Sequence, residues 1–107
     1  MLLVMTTLPD AQAAQTLTQR LVASRVAACV SIGAPVHSMY RWQDAVEQAV
    51  EIPLHIKTAS ANYAQVEAMI KDHHPYDVPE IIAVPVQFGL PAYLNWVQDV
   101  SGPTSHA

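Results

Sequence analysis

Few side chains in this 107-residue chain have types suited to chemistry, and they are scattered. Cys29 is the single cysteine and the only soft ligand. As a thiolate it would suit copper or zinc. As a small residue between Ala28 and Val30 it would equally suit a strand interior. His73 and His74 are adjacent, so on a helix end their rings point ~100° apart and make a poor chelate alone. His73 falls on an apolar stripe and reads as a packed or capping residue. His74 leads into a loop and is freer to meet a group from elsewhere. Glu80 follows Pro79 and precedes a strand, where it would pair with Lys57 or Arg41 or accept a backbone bond. Lys57 ends a long strand, either as an anion contact or as a solvated end. Tyr40, Trp42, Tyr76, Tyr93 and Trp96 could wall a cleft or pack in core and interface. His37, His55 and His106 read as surface residues. The sequence holds no Gly-rich phosphate loop, G-x-S-x-G, HExxH or CxxC.

These residues need elements to position them. Leu2 to Thr7 is an apolar run that reads as a buried strand. Pro9 suits a first helical turn, Asp10 favours the helix N-terminus, and Ala14, Leu17 and Leu21 give an apolar stripe running to about Arg25. Ala27 to Ile32 returns to strand character, and Gly33-Ala34-Pro35 interrupts it as a kink or bulge. Val36 to Trp42 and Val46 to Thr58 then alternate strictly, with Gln43-Asp44-Ala45 between them as a hairpin turn. The second run would extend ~43 Å at 3.3 Å per residue, against a globule diameter of ~34 Å for this length. The arm should therefore overshoot its own core. Pro53 lies inside the run and cannot donate to a ladder, which predicts an edge or a bulge. Ser60 can N-cap a second helix whose stripe is Tyr63, Val66 and Ile70, ended by Pro75. Ile81 to Val86 is a last strand, with Pro85 again marking an edge. Gly89-Leu90-Pro91 opens a short final helix.

The order β-α-β-β-α-β-α predicts an α+β fold of the ferredoxin-like, split βαβ kind: a four-stranded antiparallel sheet, two helices on one face and a short C-terminal helix. Residues 1–100 form one domain, and 101–107 read as a flexible tail.

Composition narrows the function. The chain is 51% hydrophobic and carries 5 Lys and Arg and 9 Asp and Glu, against roughly 27 charged residues for an average domain of this length. A disordered chain is excluded. A net charge of −4 with scattered basic residues excludes nucleic-acid binding on a basic face. The N-terminal MLLVM has no basic lead and is too short for a signal peptide or membrane span. One cysteine fits a reducing compartment, so the expected location is cytoplasmic. So few charges suggest that other subunits cover part of the surface.

Several segments, in order, resemble the CutA family of divalent-cation tolerance proteins: VMTTLPD, LVASRVAACVSI, SMYRWQDAVE, IKT, HHPYDVPEII, AVPV and GLPAYLNWV. The likeness covers nearly the whole chain, and YRW with H-P-Y-x-V-P-E-I is its specific pair. The resemblance implies a ferredoxin-like homotrimer, similar in architecture to P-II signalling proteins, whose long hairpins reach neighbouring subunits. It implies copper or other divalent-cation binding, with Cys29, His74 and Glu80 as metal candidates. Tyr40, Trp42, Lys57, Tyr76, Tyr93 and Trp96 would line a cleft between subunits. Pro53 and His55 depart from the unbroken apolar strand usual in relatives, and a single cysteine precludes a multi-thiolate site within one chain.

The expected function is therefore a homotrimeric divalent-cation, copper-binding tolerance protein with no required cofactor, its partners being itself and metal ions such as Cu(II). It is not expected to be an enzyme, since no nucleophile–base pair is evident. The alternative is a P-II-like trimer that holds a small anion in the intersubunit cleft through Lys57.

Overall fold

The computed structural model describes residues 1–102. Its strands are β1 (Leu2–Leu8), β2 (Cys29–Ile32), β3 (Val36–Trp42), β4 (Ala45–Thr58) and β5 (Ile81–Pro85). Its helices are α1 (Ala11–Ala23), α2 (Tyr63–His73) and α3 (Pro91–Ser101). Asp10 caps α1 by accepting the Ala13 N–H at 2.8 Å, so Pro9 precedes the helix instead of sitting in its first turn. The left-handed Arg25 (φ 63°) ends the region. Ser60, expected as a helix cap, opens a single 3-10 turn over Ser60–Asn62 and makes no capping bond. The Asn62 amide instead reaches back to the Val26 and Ser101 carbonyls, tying three segments together.

All strand pairs are antiparallel, in the order β2-β4-β1-β5, with β3 paired to β4. This is the split βαβ order, α1 crossing from β1 to β2 and α2 from β4 to β5. The sheet has five strands where four were expected, because the interruption at Gly33-Ala34-Pro35 divides one long strand into β2 and β3. Ile32 lies opposite Leu54 and Val36 opposite Glu51. Three residues therefore face two, which is a one-residue bulge. Pro53, expected at an edge or a bulge, lies in a central strand opposite Thr7 of β1, with the bulge on its other side. It is tolerated because on its other side β2 has just left the ladder, and its carbonyl still accepts the Gly33 N–H at 2.9 Å. Pro85 does close an edge strand, as expected.

One face of the sheet carries the core. Val4, Leu8, Leu54 and Ile56 pack under Leu17 and Leu21 of α1 and Val66 and Ile70 of α2, all fully buried. The opposite face holds Leu3, Met5 and Thr7 with their cross-strand partners Lys57, His55 and Pro53. Beyond Ile52, β4 loses β1 as a neighbour and pairs only with β3. This two-stranded arm overshoots the core as its length requires, in a molecule measuring 47 × 26 × 22 Å. The apolar alternation continues along it uncovered: Met39 is 68%, Val46 61% and Val50 53% exposed. A two-residue turn closes the arm, with Gln43 (φ 49°) and Asp44 (φ 65°) both left-handed and Ala45 already paired to Trp42.

Ser101 and Gly102, assigned to the tail by sequence, belong to the fold. Both are buried, and Ser101 Oγ accepts the Ala59 N–H at 3.1 Å while donating to the Val97 carbonyl. The rest of the expected tail, 103–107 with His106, lies outside the described residues.

Candidate functional site

A cleft of about 790 Å³ opens where the arm leaves the sheet, between β3, β4 and the loop joining α2 to β5. The register sets its floor. Glu47 lies opposite Tyr40 and Glu51 opposite Val36, so these share one face of the arm. Alternation along β4 puts Glu51 on the same face as Pro53, and hence as Thr7, away from the helices. Glu51 is only 7% exposed, and the Thr7 hydroxyl donates to its Oε2 at 3.2 Å.

His74 fixes the loop that forms the opposite wall. Its Nε2 donates to the Thr7 carbonyl at 2.6 Å, and its Nδ1 accepts the Tyr76 backbone N–H at 3.1 Å. The Tyr76 ring leans on the imidazole with centroids 4.6 Å apart. The Tyr76 phenol is pushed above its ordinary value, first by burial and then by the nearby Glu51 and Tyr40 side chains. Aromatic walls come from Tyr40, Trp42 and Tyr76, and carboxylates from Glu47, Glu51, Asp77 and Glu80. Arg41 is the one Lys or Arg in the lining.

The remaining candidates stand elsewhere on the same open face. Cys29 pairs with Lys57 across β2 and β4, and Lys57 Nζ donates to Ser31 Oγ at 2.6 Å. Tyr93 approaches Cys29 from α3; burial, followed by Cys29, pushes its phenol up. Tyr93 and Trp96 are in ring contact at 5.7 Å. Lys57 is six residues from Glu51 along β4, ~20 Å at 3.3 Å per residue.

The predicted residues therefore fall into two groups. Tyr40, Trp42, Tyr76 and Glu80 line the cleft and His74 braces it. Cys29, Lys57, Tyr93 and Trp96 gather at the far end. A single chain does not bring Cys29 to His74 and Glu80. Among the described residues no three His, Cys, Asp or Glu side chains stand close enough to hold one metal ion. His74 has both ring nitrogens engaged, so ligation would require it to release Thr7 or Tyr76. Glu80 is exposed and makes no ion pair with Lys57 or Arg41. His73 is a packed residue, as expected, its Nδ1 bonded to the Met69 carbonyl at 2.9 Å. Thr7 and Glu51 were missed. Glu51 alternates with apolar residues like any solvated strand face, and what buries it is a loop some 25 residues away in sequence.

The family model described as CutA1 divalent ion tolerance protein matches residues 2–100. The divalent-cation tolerance protein CutA of Thermus thermophilus is 38% identical over 92% of this chain and 96% of that protein. The solved structure of divalent cation tolerance protein Cut A1 from the same organism superposes with a TM-score of 0.92, covering 95% of this chain and 100% of that one. Mouse protein CutA is 35% identical over 94% of this chain, which spans 57% of its length. The structure of the periplasmic divalent cation tolerance protein CutA from Archaeoglobus fulgidus has a TM-score of 0.90 at 32% identity, covering 94% of this chain and 99% of that one.

Proposed function

The chain belongs to the CutA1 divalent ion tolerance family, and from that premise we propose that it works as a cytoplasmic homotrimer binding copper or another divalent cation at sites completed by more than one copy. One observation carries the reading. The soft donor Cys29 and the donors His74 and Glu80 sit at opposite ends of one open sheet face, while an apolar arm projects from that sheet uncovered. Side chains so separated can meet at one ion only if a second copy supplies part of the set. Thiolate, imidazole and carboxylate together favour copper or zinc over magnesium. For location the support is the single cysteine; no helix among the described residues is long and apolar enough to cross a membrane.

We read the protein as a binder and not as an enzyme. The contact between Ser31 and Lys57 is exposed, without the desolvated pocket that Ser–Lys chemistry needs. The P-II-like alternative has less support, since Lys57 is remote from the cleft and the cleft presents four carboxylates to one guanidinium.

Native mass spectrometry combined with Cu(II) titration tests the proposal. A trimer whose Cu(II) binding weakens in both Cys29→Ala and His74→Ala is expected. A monomer in dilute buffer, or binding unchanged in both variants, overturns it.

A further inference from the structure

Glu51 is more than nine-tenths buried, yet its charge has no Lys, Arg or His partner within 4 Å among the described residues. The Thr7 hydroxyl and the Tyr76 phenol satisfy part of its hydrogen bonding and supply no positive charge. An uncompensated buried carboxylate is costly, and this one lies on the floor of the cleft. A metal ion is a poor counterpart within one chain, because among the described residues no three His, Cys, Asp or Glu side chains gather to hold one. Glu47 is four residues from Glu51 along β4, ~13 Å at 3.3 Å per residue. Between and beside them stand aromatic surfaces: Tyr40 directly across from Glu47, Tyr76 beside Glu51 and Trp42 toward the arm's tip. Spaced negative charges joined by aromatic faces match a ligand with spaced positive charges joined by methylenes. The methylenes gain apolar contact and the ammonium groups gain both carboxylates and cation–π attraction.

We propose that this cleft binds a linear aliphatic polyamine, with one terminal ammonium on Glu51 and the other toward Glu47. The assignment does not rest on the copper reading: neither Glu51 nor Glu47 is among the copper donors, although Glu80, which is, lines the same cleft. Chain length is the discriminating property. A triamine of spermidine's length comes close to the span between the two carboxylates, while putrescine reaches about half of it.

The test uses the intact protein carrying Trp96→Phe, so that Trp42 is the sole tryptophan reporter. Spermidine and putrescine are titrated at physiological ionic strength, about 0.15 M. The expected result is a saturable change in Trp42 fluorescence with spermidine, and weaker binding of putrescine. Glu51→Gln, which keeps the shape and removes the charge, should weaken spermidine binding about tenfold or more. Thermal melts of both variants show whether the fold is retained. Equal response to the two amines, spermidine binding unchanged in Glu51→Gln, or no saturable response overturns the assignment; the last is the outcome if another copy fills the cleft. Cu(II) titration of Glu51→Gln should match the parent, which separates this site from the metal reading.

Discussion

The Gly33 N–H donates to the Pro53 carbonyl at 2.9 Å, and the Pro53 Cγ lies 2.9 Å from where a Gly33 Cβ would stand. Bulge and proline are thus fitted to each other. Gly33→Ala would drive a methyl into a closed ring that cannot rotate away, at a cost of about 1–3 kcal/mol. Urea unfolding should show a lower midpoint with an unchanged slope; an unchanged midpoint would contradict the packing.

His74 joins the 74–80 loop to β1 through both nitrogens. His74→Ala strands the Thr7 carbonyl and frees the Tyr76 N–H, and should destabilise the protein by about 1–3 kcal/mol. Hydrogen exchange locates the effect: the Tyr76 amide should lose protection while Val4 and Leu54 in the core keep theirs. Uniform loss across the sheet would mean that the bond does not act locally.

At the arm's tip, Gln43 and Asp44 both hold positive φ without being glycine. A two-residue turn of this kind favours glycine at its second position. Asp44→Gly should therefore stabilise the protein by about 0.5–1 kcal/mol and raise the melting temperature. A lower melting temperature would mean that the Asp44 side chain holds the turn.

Tyr63, Tyr76 and Tyr93 all have phenols raised above the ordinary value. For Tyr63 the first cause is its hydrogen bond to Glu67; for the other two it is burial. The sign follows from linkage. Their contribution to stability is fully present below the unfolded phenol value of about 10 and is lost as pH rises through the higher folded values. Tyrosinate absorbance should appear at higher pH in the folded protein than in denaturant, with stability falling in the same range. Coincident titrations would remove these contacts.

Most of the fold was legible because burial imposes period. Leu54 and Ile56 alternate against a helix-covered face, and Leu17 and Leu21 recur on one helical stripe, so each pattern names its element. The arm was legible from length alone. Two features resisted. Pro53 reads locally as an edge or a bulge residue, and the choice between the two was decided by where β2 departs, a property of another segment. Glu51 reads as solvated, but a distant loop held by His74 buries it. Likewise Cys29, His74 and Glu80 are chemically compatible, while their separation follows from register and is invisible until strands are paired.

The single extra residue at the bulge also works as a phase adapter. Packing of the partly buried Val30 against the core fixes the parity of β2, and the Gln43–Asp44 turn fixes the parity of β3. An uninterrupted strand would put Met39 and Arg41, not Tyr40 and Trp42, on the face of Glu47 and Glu51. Insertions or deletions between Ile32 and Val36 are therefore not equivalent by size. An odd change forces one half of the strand to turn its side chains over, and an even change leaves both halves in step. A chemical face running from Cys29 to Trp42 depends on keeping that count.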